Sequence, residues 1–96
     1  MDNYQLSNTA ELDVDHLYAD GILKRGLRQA DNYYDGLIKQ FKFLAENSNI
    51  GYNSGELAPN LQRFPYGSHI IFFTNTDTGI LIVRVLGKEM DFKRHL

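Results

Sequence analysis

The chain has 96 residues, 43% of them hydrophobic, which suits one domain with one core, since a chain of this size buries roughly 60–65% of its unfolded surface. Twelve acidic against ten basic residues leave a net charge of −2, whereas proteins that grip many phosphates carry a basic excess, so direct nucleic-acid binding is not expected. The absence of cysteine excludes disulfides and thiolate chemistry and fits a reducing cytoplasm.

The opening "MDNYQLSNTAELD" has no basic segment leading into an apolar run, and no apolar stretch nears the roughly 20 residues that span a bilayer. The expectation is a soluble cytoplasmic protein with no membrane association. "NYQLS" alternates, with Tyr4 and Leu6 on one side, and reads as a short strand. Ser7 or Asn8 can cap a following helix, and Glu11, three residues beyond Asn8, completes a capping-box pattern. Ala10, Val14, Leu17, Tyr18 and Ile22 then recur at helical spacing, and Gly26 supplies a stop. A second helix is marked by Leu27, Ala30, Tyr34, Leu37, Ile38, Phe41, Leu44 and Ala45. With so little chain around Gly26, the two helices must fold back as an antiparallel hairpin.

The polar segment "AENSNIGYNSGELAPN" reads as a loop, after which the spacing changes from helical to strand-like. "LQRFPYGSHIIFFTNTDTGILIVRVL" gives three strands. Pro65 cannot donate to a ladder, so residues 61–64 are expected at a sheet edge. Gly67 with Ser68 and then "TDTG" form the turns, and "ILIVRVL", apolar on both faces apart from Arg84, belongs inside the sheet. The fold expected for residues 1–96 is α+β: an N-terminal strand, a helical hairpin and a three-stranded antiparallel meander, with the helices on one sheet face. The ending "RVLGKEMDFKRHL" spaces Met90, Phe92 and Leu96 among Lys88, Lys93 and Arg94, so the tail can lie with its apolar side down and its cations outward.

The histidines His16, His69 and His95 have no metal-ligand spacing, and no phosphate loop, nucleophile elbow or paired carboxylates appear, so neither a metal, a cofactor nor a catalytic set is expected. Tyr34 falls on the core side of its helix and Tyr33 on the rim. Arg84 breaks an apolar strand. It must either pair with a helix carboxylate or reach a partner, since an unpaired buried guanidinium is very costly. Arg63 and His69 are placed to approach the same sheet face.

"LAENSNIG", "LQRFPYGSHIIFF" and above all "IVRVLGKEMDFKRHL" resemble the ParE toxins of the RelE/ParE superfamily, in order and spacing over almost the whole chain. The sequence departs from the usual pattern at "LKRG", "LGKE" and "NSNIG". The resemblance implies a toxin of a type II toxin–antitoxin pair, held in a hetero-oligomer by a ParD-like antitoxin. It further implies a non-enzymatic poison of DNA gyrase, through its A subunit, that blocks replication. The alternatives on this fold are a RelE-like ribosome-dependent mRNA endonuclease and an inactive antitoxin-binding relative. That ribonuclease branch favours basic residues where His69 and Glu89 stand here, and only His95 falls at a fitting position. The target-facing candidates are Lys88, Met90, Phe92, Lys93, Arg94 and His95. The antitoxin-facing candidates are Leu17, Tyr18, Tyr33, Leu37, Phe41, Arg63, Phe64, His69, Phe72 and Arg84.

Overall fold

The computed structural model describes residues 3–96 and starts with β1 (Asn3–Leu6). Ser7 caps the next element, α1 (Asn8–Arg25): its Oγ accepts the Ala10 N–H at 3.0 Å. The cap thus lies one residue before the capping box suggested by Asn8 and Glu11. Ser7 is held there because its N–H and its hydroxyl donate to the carbonyls of Ile82 and Val83. Gly26, at φ 89°, ends α1 and is the only residue between it and α2 (Leu27–Glu46). A positive φ at that position favours glycine, and one residue suffices to reverse the chain.

After α2 come β2 (Tyr52–Asn53), β3 (Gln62–Tyr66), β4 (His69–Thr76), β5 (Gly79–Gly87) and a short α3 (Phe92–His95). The sheet is five-stranded and mixed, in the order β1-β5-β4-β3-β2, with β1 parallel to β5 and the other pairs antiparallel. The sheet is therefore larger than a three-stranded meander. The two residues of β2, inside an Asn- and Gly-rich loop, are too few to show a strand period in sequence. β2 covers Gln62 and Arg63 only, so β3 is not the outermost strand, and Pro65 lies just past the point where β2 stops pairing. As expected, β5 is interior, between β1 and β4.

The two faces of the sheet carry separate apolar clusters. Under the helices, Ala10, Val14, Leu37, Phe41, Leu44 and Ala45 meet Ile71, Phe73, Ile80, Ile82 and Val85. On the other face, Leu61, Phe72 and Leu86 are covered by Met90, Phe92 and Leu96 of the tail and by Leu57 and Ala58 of the loop. A β-bulge decides which β5 side chain faces which way. Phe72 pairs with Arg84 but Phe73 pairs with Ile82, so Val83 is an extra residue. In a regular strand Arg84 would share a side with Ile80 and Ile82, beneath the helices. The bulge resets the alternation, so that Val85 joins the helix-side cluster and Val83 and Leu86 the other.

Helical spacing was a good guide except near the hairpin apex. Leu27 and Tyr34 belong to the core by spacing, yet are 58% and 38% exposed: Leu27 is the first residue of α2, next to the Gly26 reversal, and Tyr34 meets α1 only at Tyr18, ring against ring. The tail packs as its pattern suggests: Phe92 sits edge-on to Phe72 with ring centroids 5.0 Å apart. Phe92→Ala should cost about 2 kcal/mol in urea unfolding, less than a fully buried phenylalanine because Phe92 is only half-buried. A loss below about 0.5 kcal/mol would mean that the tail does not hold the second face.

Candidate partner-binding groove and C-terminal tail

Tyr33 of α2 reaches across to the β3–β4 turn. Its hydroxyl lies 2.8 Å from His69 Nδ1, 3.1 Å from the Tyr66 carbonyl and 3.1 Å from the Ser68 N–H, which donates to it. A phenol has one hydrogen to give. When Nδ1 of His69 carries the proton, Tyr33 accepts from it and from the Ser68 N–H and donates to the Tyr66 carbonyl; when Nδ1 is bare, the phenol donates to it instead. Gly67, at φ 53°, makes the contact possible, since a Cβ there would come within 2.6 Å of the Tyr33 hydroxyl. Tyr66 returns the bond, donating to the Tyr33 carbonyl at 3.1 Å. The helix-rim assignment of Tyr33 and the core assignment of Tyr34 are thus reversed in effect. Tyr33 is the half-buried tie between helix and sheet, and Tyr34 lies exposed with its ring edge-on to Tyr18.

His69 stands where two shallow grooves meet. One runs between α1, the start of α2 and the β3–β4 turn; the other continues over the end of β5 onto the tail at Glu89 and Met90. Leu17, Asp20, His69 and Glu89 belong to both. Burial pushes the His69 imidazole below its ordinary value of 6.5, while Glu89, Asp20 and Asp13 pull it back up.

Arg84 takes the first of its two readings. Its Nε and Nη2 donate to both oxygens of Asp13 on α1, at 2.7 and 2.9 Å, and its Nη1 donates to the His95 carbonyl at 2.7 Å. The Asp13 hydrogen bond raises the guanidinium above its ordinary range. Arg63, Phe72 and Arg84 share one cross-strand row, but Arg63 turns toward Ser54, at 3.1 Å, and Glu56, at 3.7 Å. His69 instead lies on the helix side with Tyr33. The three do not converge.

The other candidates divide by burial. Leu37, Phe41 and Phe72 have no accessible surface and build the core, so they offer a partner nothing directly. Leu17 is half-buried along the grooves. Tyr18 is also half-buried, and its hydroxyl donates to Asp31, which raises its pKa. Phe64 is half-buried with its ring near those of Phe43 and Tyr52, forming an aromatic surface at the β2 side that sequence spacing did not single out. In the tail, Met90 and Phe92 face the second cluster. Lys88, Lys93, Arg94 and His95 are exposed, and none of the four side chains has an ion-pair partner among the described residues.

The model of the ParE toxin of type II toxin–antitoxin systems, parDE, matches residues 4–92. The chain belongs to the ParE toxin family. Toxin ParE1 of Caulobacter vibrioides is 29% identical over 96 residues, covering 100% of this chain and 99% of the relative. Toxin ParE1 of Mycobacterium tuberculosis is 31% identical over 94 residues, covering 97% and 96%. A solved structure described as the chromosomal ParDE TA system from P. aeruginosa shares the fold, with a TM-score of 0.77 at 20% identity over 93% of this chain and 98% of that one. No helix among the described residues is long and apolar enough to cross a membrane.

For this ParE family member, the lowered pKa of His69 fixes the sign of one pH effect. The unfolded histidine takes up its proton near 6.5, before the folded one does. Stability is therefore full above that value and falls as pH drops toward the lower folded value. Urea midpoints measured from neutral pH downward should decline more steeply in the native chain than in His69→Gln. Parallel curves would contradict the assignment.

Proposed function

We propose that this chain is the toxin of a toxin–antitoxin pair that poisons DNA gyrase and is neutralised in the cytoplasm by a ParD-like antitoxin. The match to the ParE toxin family across residues 4–92 carries this reading. Residues 1–96 act as one domain that works by binding rather than by catalysis. The antitoxin lies over the helical hairpin and the grooves around His69, where Leu17 and Tyr33 offer half-buried contact surface. The tail serves the other contact: anchored by Met90, Phe92 and Leu96, it presents Lys88, Lys93 and Arg94 outward, a small basic pole on a chain of net charge −2. Such a pole suits a protein target that holds cut DNA. The ribonuclease alternative is disfavoured by Glu89 in the groove beside His69, since a carboxylate there repels phosphate.

Induction of the chain should block DNA synthesis and trap cleaved DNA with purified gyrase and ATP, with mRNA intact at early times. Cleavage of ribosome-bound mRNA within codons would overturn the reading in favour of a ribonuclease. Removing the whole tail would strip the second face of the sheet and confuse the two effects. Charge reversal is cleaner: Lys88→Glu, Lys93→Glu and Arg94→Glu together should abolish trapping while leaving antitoxin affinity within about tenfold and the melting temperature nearly unchanged. Full trapping by that variant would remove the tail from the target contact.

A further inference from the structure

The tail is held at both of its ends, and Arg84 accounts only for the far one, where it donates to the His95 carbonyl. At the near end, the β4–β5 ladder closes on the pair His69 and Gly87. The next residue, Lys88, still donates its N–H to the Ser68 carbonyl at 3.1 Å. Ser68 belongs to no strand: with Gly67 it forms the exposed turn between Tyr66 and His69. A bond from the end of a ladder to an exposed turn is of the kind that frays. Here the turn is fixed from its other side, because the Ser68 N–H donates to the Tyr33 hydroxyl at 3.1 Å. That bond is made whichever nitrogen of His69 holds the proton, since the phenol accepts from Ser68 in both cases. Tyr33 is itself stiffly placed. Its ring stands edge-on to those of Tyr66 and His69, with centroids 5.0 and 5.6 Å away, and its carbonyl accepts from the Tyr66 hydroxyl at 3.1 Å.

We propose that Tyr33 is a positioning residue for the target-facing tail: through Ser68 it fixes the backbone of Lys88, the first of the outward cations. The fixing is a property of the free chain; its part in poisoning rests on the target reading above. Lys93 and Arg94 lie in α3, whose end Arg84 holds through the His95 carbonyl. Lys88 comes before that helix, and its side chain is exposed with no ion-pair partner among the described residues. A lysine carries its charge on a flexible four-carbon stem, so what the fold can set is where that stem begins. Tyr33 therefore serves two surfaces. Its half-buried ring lines the groove assigned to the antitoxin, while its hydroxyl sets the start of the tail, and the target need not touch it.

Two arms test it separately, both built on Tyr33→Phe, which removes the hydroxyl and keeps the ring. In the free toxin, hydrogen exchange at the amides of Ser68 and Lys88 should quicken roughly fivefold, as expected for one lost hydrogen bond, while the buried Ile71 and Ile82 keep their rates. Unchanged exchange at Lys88 overturns the proposal, because something else then holds it. An equal rise at all four amides also overturns it, because Tyr33 is then a general prop of the fold. The second arm is a double-variant cycle of Tyr33→Phe and Lys88→Ala in the gyrase trapping assay. Each single variant should raise the toxin concentration needed for half-maximal trapping by roughly fivefold, and the pair should lose no more than the worse of the two. Losses that multiply would overturn the proposal, since a tyrosine acting apart from Lys88 gives an independent loss. If the native chain traps no cleaved DNA, the target reading falls and takes the part of Tyr33 in poisoning with it, while the exchange arm still decides whether Tyr33 holds Lys88.

Discussion

Asp13 and Arg84 are 71 residues apart in sequence and meet through two hydrogen bonds, and three parts of the molecule depend on that meeting. β1 is short and pairs with β5 only as far as Ile82, which leaves the upper edge of β5 without a neighbour. The start of α1 takes over from the strand. Ser7 covers the carbonyls of Ile82 and Val83, and Asp13 Oδ2 accepts the Val85 N–H at 3.0 Å. Because an orphaned backbone donor is costly, the helix and the sheet edge are matched group by group. The third hydrogen bond of Arg84, to the His95 carbonyl, extends the same junction to the tail.

The bulge at Val83 and the ion pair explain each other. Without the extra residue, Arg84 would point beneath the helices among apolar side chains; with it, the guanidinium emerges at the rim, where its side chain is 17% and that of Asp13 12% exposed. A pair this sheltered loses much of its solvation, so its worth rests on the bidentate geometry, on the Val85 N–H that donates to Asp13 and on the His95 carbonyl that accepts from Arg84. Arg84 is thus an architectural residue. What remains for partners is the groove with the half-buried His69 and Tyr33, and the outward cations of the tail.

Much of this was legible in the chain. The Ser7 region as a helix start, Gly26 as a reversal, the interior position of "ILIVRVL" and the apolar underside of the tail each follow from a local rule of spacing, capping or turn chemistry. The order of those segments was enough to suggest the family. Legibility ended where a long-range contact overrode a local one. The bulge leaves no mark in the sequence, because an extra Val in an apolar strand looks like any other. Two-residue β2 has no period. Tyr33 and Tyr34 differ by one position on a helix, and what distinguishes them is a turn more than thirty residues away whose carbonyl, amide and imidazole all converge on one phenol. Burial also separated Leu37, Phe41 and Phe72, which spacing could not tell from surface contacts, from the residues a partner can touch.

The central claim, that one ion pair joins α1, the edge of β5 and the tail, is tested most directly by a double-mutant cycle on Asp13→Asn and Arg84→Met, read by urea unfolding and by hydrogen exchange at Val85 and at the tail amides of Arg94 and Leu96. Breaking the pair from either side should cost about 3 kcal/mol, with the double variant less destabilised than the sum of the two. Arg84→Met should also speed exchange at Arg94 and Leu96, whose N–H groups donate within the tail turn to Asp91 and Phe92. Additive losses, or a tail that keeps its protection when Arg84 is gone, would contradict the account.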